Sequence, residues 1–333
     1  MKEIGIYIHI PFCKQKCKYC DFVSFSDKEI YINDYIECIL KELKSFSEKV
    51  ELNYINGVDD LVKINTIYIG GGTPSIISEK YIEKIINEIK DNFNIMKNAE
   101  ITIEINPGTV NKQKLQKYLE IGINRISLGL QSTDDELLKL LGRVHKYKDF
   151  EEIYKLAREV GFKNINVDLM LGLPSQSISV LEKSLDEIIS KNPEHISVYS
   201  LIVEENTQMF NLVEKGELKL PNENLEREMY WKVKHILEKN GYNHYEISNF
   251  AKKGYESKHN TNCWNQCEYI GFGVSAHSYF NNVRYSNIYN LEKYIENLKN
   301  YEQEKNVIVY EKQDTESKMN EYMLLRFKKN RRD

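Results

Sequence analysis

Short apolar runs rich in β-branched residues alternate along the chain with longer stretches in which apolar residues recur every three or four positions. The first pattern predicts strands and the second amphipathic helices. Six strands are predicted, over Ile4–Ile10, Thr66–Gly70, Glu100–Ile105, Arg125–Leu130, Asn164–Leu171 and His195–Val203. Helical patterns over Ile30–Phe46, Glu79–Phe93, Lys112–Ile121, Phe150–Val160 and Ser179–Ile189 fill the gaps. Such alternation predicts a parallel sheet with right-handed crossovers. The run Ile126-Ser127-Leu128-Gly129-Leu130 reads as nearly continuous apolar strand, which predicts a sheet interior covered by helices.

Polar and glycine-rich residues gather just after the strands, at Cys13–Cys20, Gly70–Pro74, Asn106–Gly108, Gln131–Thr133 and Gly172–Pro174. In a parallel barrel these positions share the C-terminal face, where sites are built. Six units leave the barrel incomplete, with an open side for a large substrate. The expected fold is therefore α/β: a partial (β/α)6 TIM-like barrel over residues 1–205, followed by a smaller α+β region over 206–318. That second region opens with an amphipathic helix, Leu225–Asn240, and continues into an aromatic- and His-rich stretch from Gly241 to Tyr289 without an internal repeat.

Composition changes this picture little. The 333 residues are 41% hydrophobic and 29% charged, ordinary for a globular protein. The 46 basic and 50 acidic residues leave a net charge of −4, which argues against an extended nucleic-acid or membrane surface. No apolar segment reaches the length of a membrane span. The first residues run straight into a strand pattern and leave no room for a signal peptide, so a cytoplasmic location is expected. In that reducing compartment six cysteines are not a disulfide framework.

Three of the cysteines crowd into Cys13-Lys14-Gln15-Lys16-Cys17-Lys18-Tyr19-Cys20, a C-x3-C-x2-C loop. Cubane iron–sulfur clusters usually take four thiolates, so three on one loop leave one iron of a [4Fe–4S] cluster open to a chelating ligand. The competing reading is zinc, with His9 as fourth ligand, but this spacing is not a usual zinc spacing. The motif, placed directly after the first strand, resembles that of the radical SAM superfamily, which implies that the open iron binds S-adenosylmethionine (SAM). Gly70-Gly71-Gly72-Thr73-Pro74 is similar to the superfamily's methionine-gripping glycine motif, with Thr73 in place of its acid. Tyr19 resembles the aromatic contact to adenine. The resemblance assigns SAM contacts to Tyr7, Tyr19, Gly71, Gly72, Thr73, Glu104, Gln131, Arg143 and Asp168. The two carboxylates would face ribose hydroxyls and the guanidinium the methionine carboxylate.

Ile6-Tyr7-Ile8-His9-Ile10-Pro11-Phe12-Cys13 with Tyr19-Cys20-Asp21-Phe22 resembles the HemW-type heme chaperones, relatives of oxygen-independent coproporphyrinogen III oxidase. Phe22, where the oxidase has a further cysteine, and the twelve residues before Cys13, where it has a long segment, favour the chaperone. His259-Asn260-Thr261-Asn262-Cys263-Trp264 resembles the chaperones' heme motif, with Cys263 in place of Tyr, and makes His259 the candidate heme ligand. Cys263 and Cys267 with His259 raise a second small metal site, Cys38 reads as core, and His277 is a candidate porphyrin contact. Met319–Leu325 looks like the entry to the family's C-terminal helical domain, so residues 319–333, with a basic tail from Arg326, are expected to be the start of a shortened one. The expected function is a radical SAM protein that binds heme and inserts it into target proteins. Heme or porphyrin is the expected partner. The acceptor and the electron donor are unassigned, and neither nucleic acid nor a membrane span is expected. The main alternative is the oxidase, which decarboxylates propionates of coproporphyrinogen III to give protoporphyrinogen IX. A structural zinc or interaction protein without SAM chemistry is the third reading.

Overall fold

The computed structural model of the chain describes residues 2–55, 57 and 61–328. Six strand–helix units come first. They are β1 (Lys2–Ile10) and α1 (Ile32–Ile55), β2 (Val62–Gly71) and α2 (Glu79–Asn92), β3 (Ile95–Ile105) and α3 (Lys112–Glu120), and β4 (Arg125–Gln131) with α4 (Asp135–Leu140) and α5 (Tyr147–Val160). β5 (Ile165–Leu171) with α6 (Ile178–Lys191) and β6 (His195–Ser200) complete the set. The chain then forms α7 (Gln208–Glu214), α8 (Glu223–Lys239), the short strands β7 (Asn243–His244) and β8 (Asn249–Ala251), and α9 (Lys258–Trp264). It ends with β9 (Tyr269–Phe272), β10 (His277–Phe280), β11 (Val283–Asn287), α10 (Leu291–Lys299), β12 (Val307–Lys312) and α11 (Thr315–Lys328). Residues 329–333 of the basic tail lie outside the described residues.

β1 to β6 pair in parallel in sequence order, the core of a partial (β/α)6 barrel. β9 adds in parallel to β1, and β10, β11 and β12 continue beyond it, while β8 adds antiparallel to β6. The later region thus flanks both edges of the six-stranded core. Local signals set the helix starts: Ser78, Asn111 and Ser177 accept a backbone N–H two or three residues on. Gly161, at φ 117°, closes α5 in the left-handed conformation that favours glycine.

The convex face of the core is apolar. Ile4, Ile6, Ile8 and Ile10 of β1 and Ile126, Leu128 and Leu130 of β4 are at most 1% exposed beneath the helices. The concave face differs from the expected continuous apolar strand. Arg125, Ser127, Gly129 and Gln131 alternate with the apolar residues of β4, because the inside of this barrel holds polar chemistry instead of packed aliphatic layers. β2 and β3 also begin earlier than their apolar runs, since Val62–Ile64 pair with Lys2–Ile4 of β1 and Ile95 of β3 pairs with Ile64. Residues 201–203 leave β6, and Leu201 packs with Leu137, Leu141, Met170, Leu173 and Met209 in a second small core under the cysteine loop. Cys38 is buried in the main core, as read. Among the described residues no helix is long and apolar enough to cross a membrane.

Candidate functional site

The segments that end β1 to β6 deliver side chains to one cavity of about 440 Å³, a volume typical of small-molecule sites. Its wall begins with the cysteine loop. The Cys13 amide donates to Phe25 O (2.9 Å) and the Phe25 amide to Pro11 O (2.7 Å), which pins both ends of the loop. Lys18 N donates to Leu141 O (3.0 Å), Gln15 Nε2 to Gly142 O (3.0 Å), and Met209 N to Lys18 O (2.8 Å). The loop is thereby seated on the β4–α5 connection and on α7. Cys13 is buried, Cys17 and Cys20 are half-buried, and all three line the cavity.

Hydrogen bonds reach all three sulfurs, with Ser24 near Cys13 and the Phe22 backbone near Cys20. Thr73 Oγ1 donates to Cys13 Sγ (3.5 Å) and Arg143 Nη1 to Cys17 Sγ (3.4 Å). Asn106 holds both donors: its Nδ2 donates to Thr73 Oγ1 (2.9 Å), and its Oδ1 accepts from Arg143 Nη2 (2.5 Å). A Cβ at Gly72 would lie 2.9 Å from Cys13 Sγ, so only glycine lets this backbone pass the sulfur. Burial pushes the Cys13 and Cys20 thiols up from their ordinary value, and the nearby Cys17 adds to it. Thiols in such a setting ionise on coordinating a cationic centre.

The donor set fits a cluster better than a single ion. Among the described residues no three His, Cys, Asp or Glu side chains converge as ligands of one metal ion. His9, the fourth ligand a zinc site would need, is engaged at both nitrogens: Tyr7 OH lies 2.9 Å from Nδ1 and Val23 O 2.8 Å from Nε2. Burial lowers its pKa to about 4, so the ring is neutral.

Across the cavity stand two carboxylates. Glu104 accepts from Tyr68 OH (2.8 Å) and from the Gly71 amide (3.2 Å), and burial raises its pKa to about 7. Asp168 accepts from Asn166 Nδ2 (2.7 Å) and Ser127 Oγ (3.1 Å), and burial also raises its pKa. Tyr19, Gly71, Gly72, Thr73, Gln131 and Arg143 line the same cavity. Gln131 does so from a left-handed backbone (φ 77°) at a register shift in β4.

Two expected residues stand elsewhere. Tyr7 lies beneath the cavity, its hydroxyl spent on His9 and its ring 6.3 Å from that of Tyr68. Its side chain is on the concave face two residues before His9, next to Tyr68, which does line the cavity. His259 is in the base of the barrel, 8% exposed, with Nδ1 hydrogen-bonded to Thr66 Oγ1 at 2.9 Å. The second metal site is not assembled: Cys263 and Cys267 stay at the end of α9 while His259 turns inward, and burial pushes the Cys263 thiol up to about 11. His277 is exposed and stacks on Tyr310 at 5.6 Å, away from the cavity. Sequence reasoning missed Asn106 and Tyr68. Asn106 lay in a segment flagged as polar, but its partners are 33 and 37 residues away.

Residues 7–188 match the model of the Radical SAM superfamily. The chain is 42% identical to the heme chaperone HemW of Bacillus subtilis (strain 168), over 87% of this chain and 74% of that protein. It is 38% identical to the heme chaperone HemW of Escherichia coli (strain K12), over 83% of this chain and 70% of that protein. Its fold is similar to that of coproporphyrinogen III oxidase (HemN) from Escherichia coli, a radical SAM enzyme, with a TM-score of 0.82 at 20% identity over 99% of this chain and 76% of that one. A cysteine loop of this spacing, on a barrel of this shape, with matches of this extent, places the chain in the radical SAM superfamily and, within it, in the HemW heme chaperone family.

Proposed function

We propose that the chain is a heme chaperone in which Cys13, Cys17 and Cys20 hold a [4Fe–4S] cluster beside a SAM site, and which carries heme to an acceptor protein. The observation that carries the SAM part is the meeting of three thiols, the Gly71–Thr73 backbone and two carboxylates on one cavity. The heme part is supported by 42% identity over most of the chain to a protein named a heme chaperone. When bound, the cluster and SAM supply one-electron chemistry that no side chain can provide. This chain's residues bind and orient. Gly71 and Gly72 bring backbone groups up to the ligand, Glu104 and Asp168 offer acceptors to ribose hydroxyls, and Arg143 supplies fixed positive charge for a carboxylate. Tyr19, partly buried against the second small core and lining the cavity, gives adenine an apolar wall.

His259 is the side chain assigned to heme iron, and its burial means that α9 must leave the barrel base to present it. Heme titration of the reconstituted protein tests the assignment. The wild type shifts the Soret band and His259→Ala does not, whereas an unchanged shift in the variant removes His259 as ligand. One observation favours turnover of a porphyrinogen instead: Phe22, Val144 and Ile202, which are 64%, 54% and 68% exposed, form an apolar lip to the cluster cavity. Anaerobic turnover decides between the two readings.

A further inference from the structure

The base of the barrel is closed by α9. Glu100 of β3 accepts the amides of Lys258 (3.1 Å) and His259 (3.2 Å) and so fixes the start of that helix. The His259 ring then enters the barrel beside Gly5, where a Cβ would lie 3.4 Å from the imidazole and 2.8 Å from Thr66 Oγ1. Inside, it stacks on Tyr68, with centroids 5.1 Å apart and planes at 30°. Tyr7 flanks Tyr68 as well, its ring 6.3 Å away and inclined at 28°. A tyrosine braced in this way has little freedom to move its hydroxyl. That hydroxyl donates to Glu104 Oε1, while Glu104 Oε2 takes the Gly71 amide of the glycine loop. Contacts therefore run without a break from α9 at the base to the ligand cavity at the mouth.

We propose that His259 is a positioning residue for the SAM site, acting through Tyr68 to hold Glu104 against the glycine loop. The inference rests on reading the cavity as a SAM site. It gives the motif around His259 a role while the ring is buried, separate from any role in heme ligation. Thr66 and Gly5 belong to the same device, the first orienting the imidazole and the second leaving room for it.

The test is the SAM dissociation constant of the anaerobically reconstituted protein, measured by calorimetry for wild type, His259→Ala, Tyr68→Phe and the double variant. Each single variant should weaken SAM binding on the order of three- to tenfold. The double variant should be no worse than the weaker-binding single, because both remove one line of support. Tyr68→Phe keeps the packing and removes only the hydroxyl, so it remains informative if His259→Ala folds poorly. Glu104 is faced by Tyr68 from β2, Arg125 from β4 and Asp168 from β5. Of these Tyr68 lowers its pKa by hydrogen bonding, so both variants should also move the onset of SAM binding to higher pH. A general loss of packing would hydrate Glu104 and move that onset the other way, since burial is what raises its pKa. Unchanged SAM affinity in both single variants, or losses that multiply in the double variant, would overturn the inference. Absence of SAM binding in the wild type with an intact cluster would instead overturn the reading of the cavity on which it rests.

Discussion

Asn106 braces two of the side chains that hydrogen-bond the cysteine sulfurs, since one amide contacts both Thr73 and Arg143. Hydrogen bonds to cluster sulfurs are among the factors that set reduction potential. Asn106→Ala should free Thr73 Oγ1, leave Arg143 Nη2 held by Gly129 O alone (2.5 Å), and lower the potential, measured by redox titration of the reconstituted cluster. An unchanged potential would show that Thr73 and Arg143 keep their places without it. Glu104 makes a second prediction. Its ordinary pKa is 4.5 and burial raises it to about 7 in the folded chain. For a carboxyl raised by folding, the contribution to stability is intact below pH 4.5 and is lost as pH rises through about 7. The loss is on the order of 3 kcal/mol. Glu104→Gln should flatten the fall in stability of the SAM-free protein between pH 5 and 8, read from denaturant melts. An equal slope in both proteins would mean that Glu104 is not the titrating group. Glu104 was singled out in the sequence as a SAM contact, but not its hold on Tyr68 and Gly71, and Asn106's part was not legible, because these partners lie more than thirty positions away.

Among elements, α1 ties the later region to the barrel. Glu42 of α1 is buried and accepts from the Gly273 amide (2.9 Å), Asn287 Nδ2 (2.7 Å) and Tyr294 OH (2.6 Å). Beside it Tyr35 OH donates to His9 O (2.7 Å) and accepts from the Val274 amide (3.0 Å). Glu42→Ala would strand three buried donors at once and should destabilise the chain by about 3–5 kcal/mol in chemical denaturation. A loss under 1 kcal/mol would show that solvent reaches them. The six parallel strands and their helices were legible because each carries its own periodicity. So was the cysteine loop, whose three thiols lie within eight residues. α4, α7 and α9 were not, since six or seven residues are too few to establish a helical period. The polar concave face was also lost: Ser127 and Gly129 between larger apolar residues read as part of an apolar run. The fate of His259 could not be read at all, because it depends on Thr66, 193 residues earlier.

For the whole molecule, the base and the mouth of the barrel are coupled. A His259 that leaves the barrel to ligate iron gives up Tyr68 and with it the hold on Glu104. Heme on His259 should therefore weaken SAM binding, and SAM should weaken heme binding by the same factor. Paired titrations check the reciprocity, and independent affinities would separate the two sites. The central claim, a SAM-binding protein that handles heme, is tested most directly by incubating the reconstituted protein anaerobically with SAM, dithionite and coproporphyrinogen III and following the porphyrin products. The account predicts an intact cluster, SAM binding and no decarboxylated porphyrin. Formation of protoporphyrinogen IX would contradict it and make the chain an oxidase.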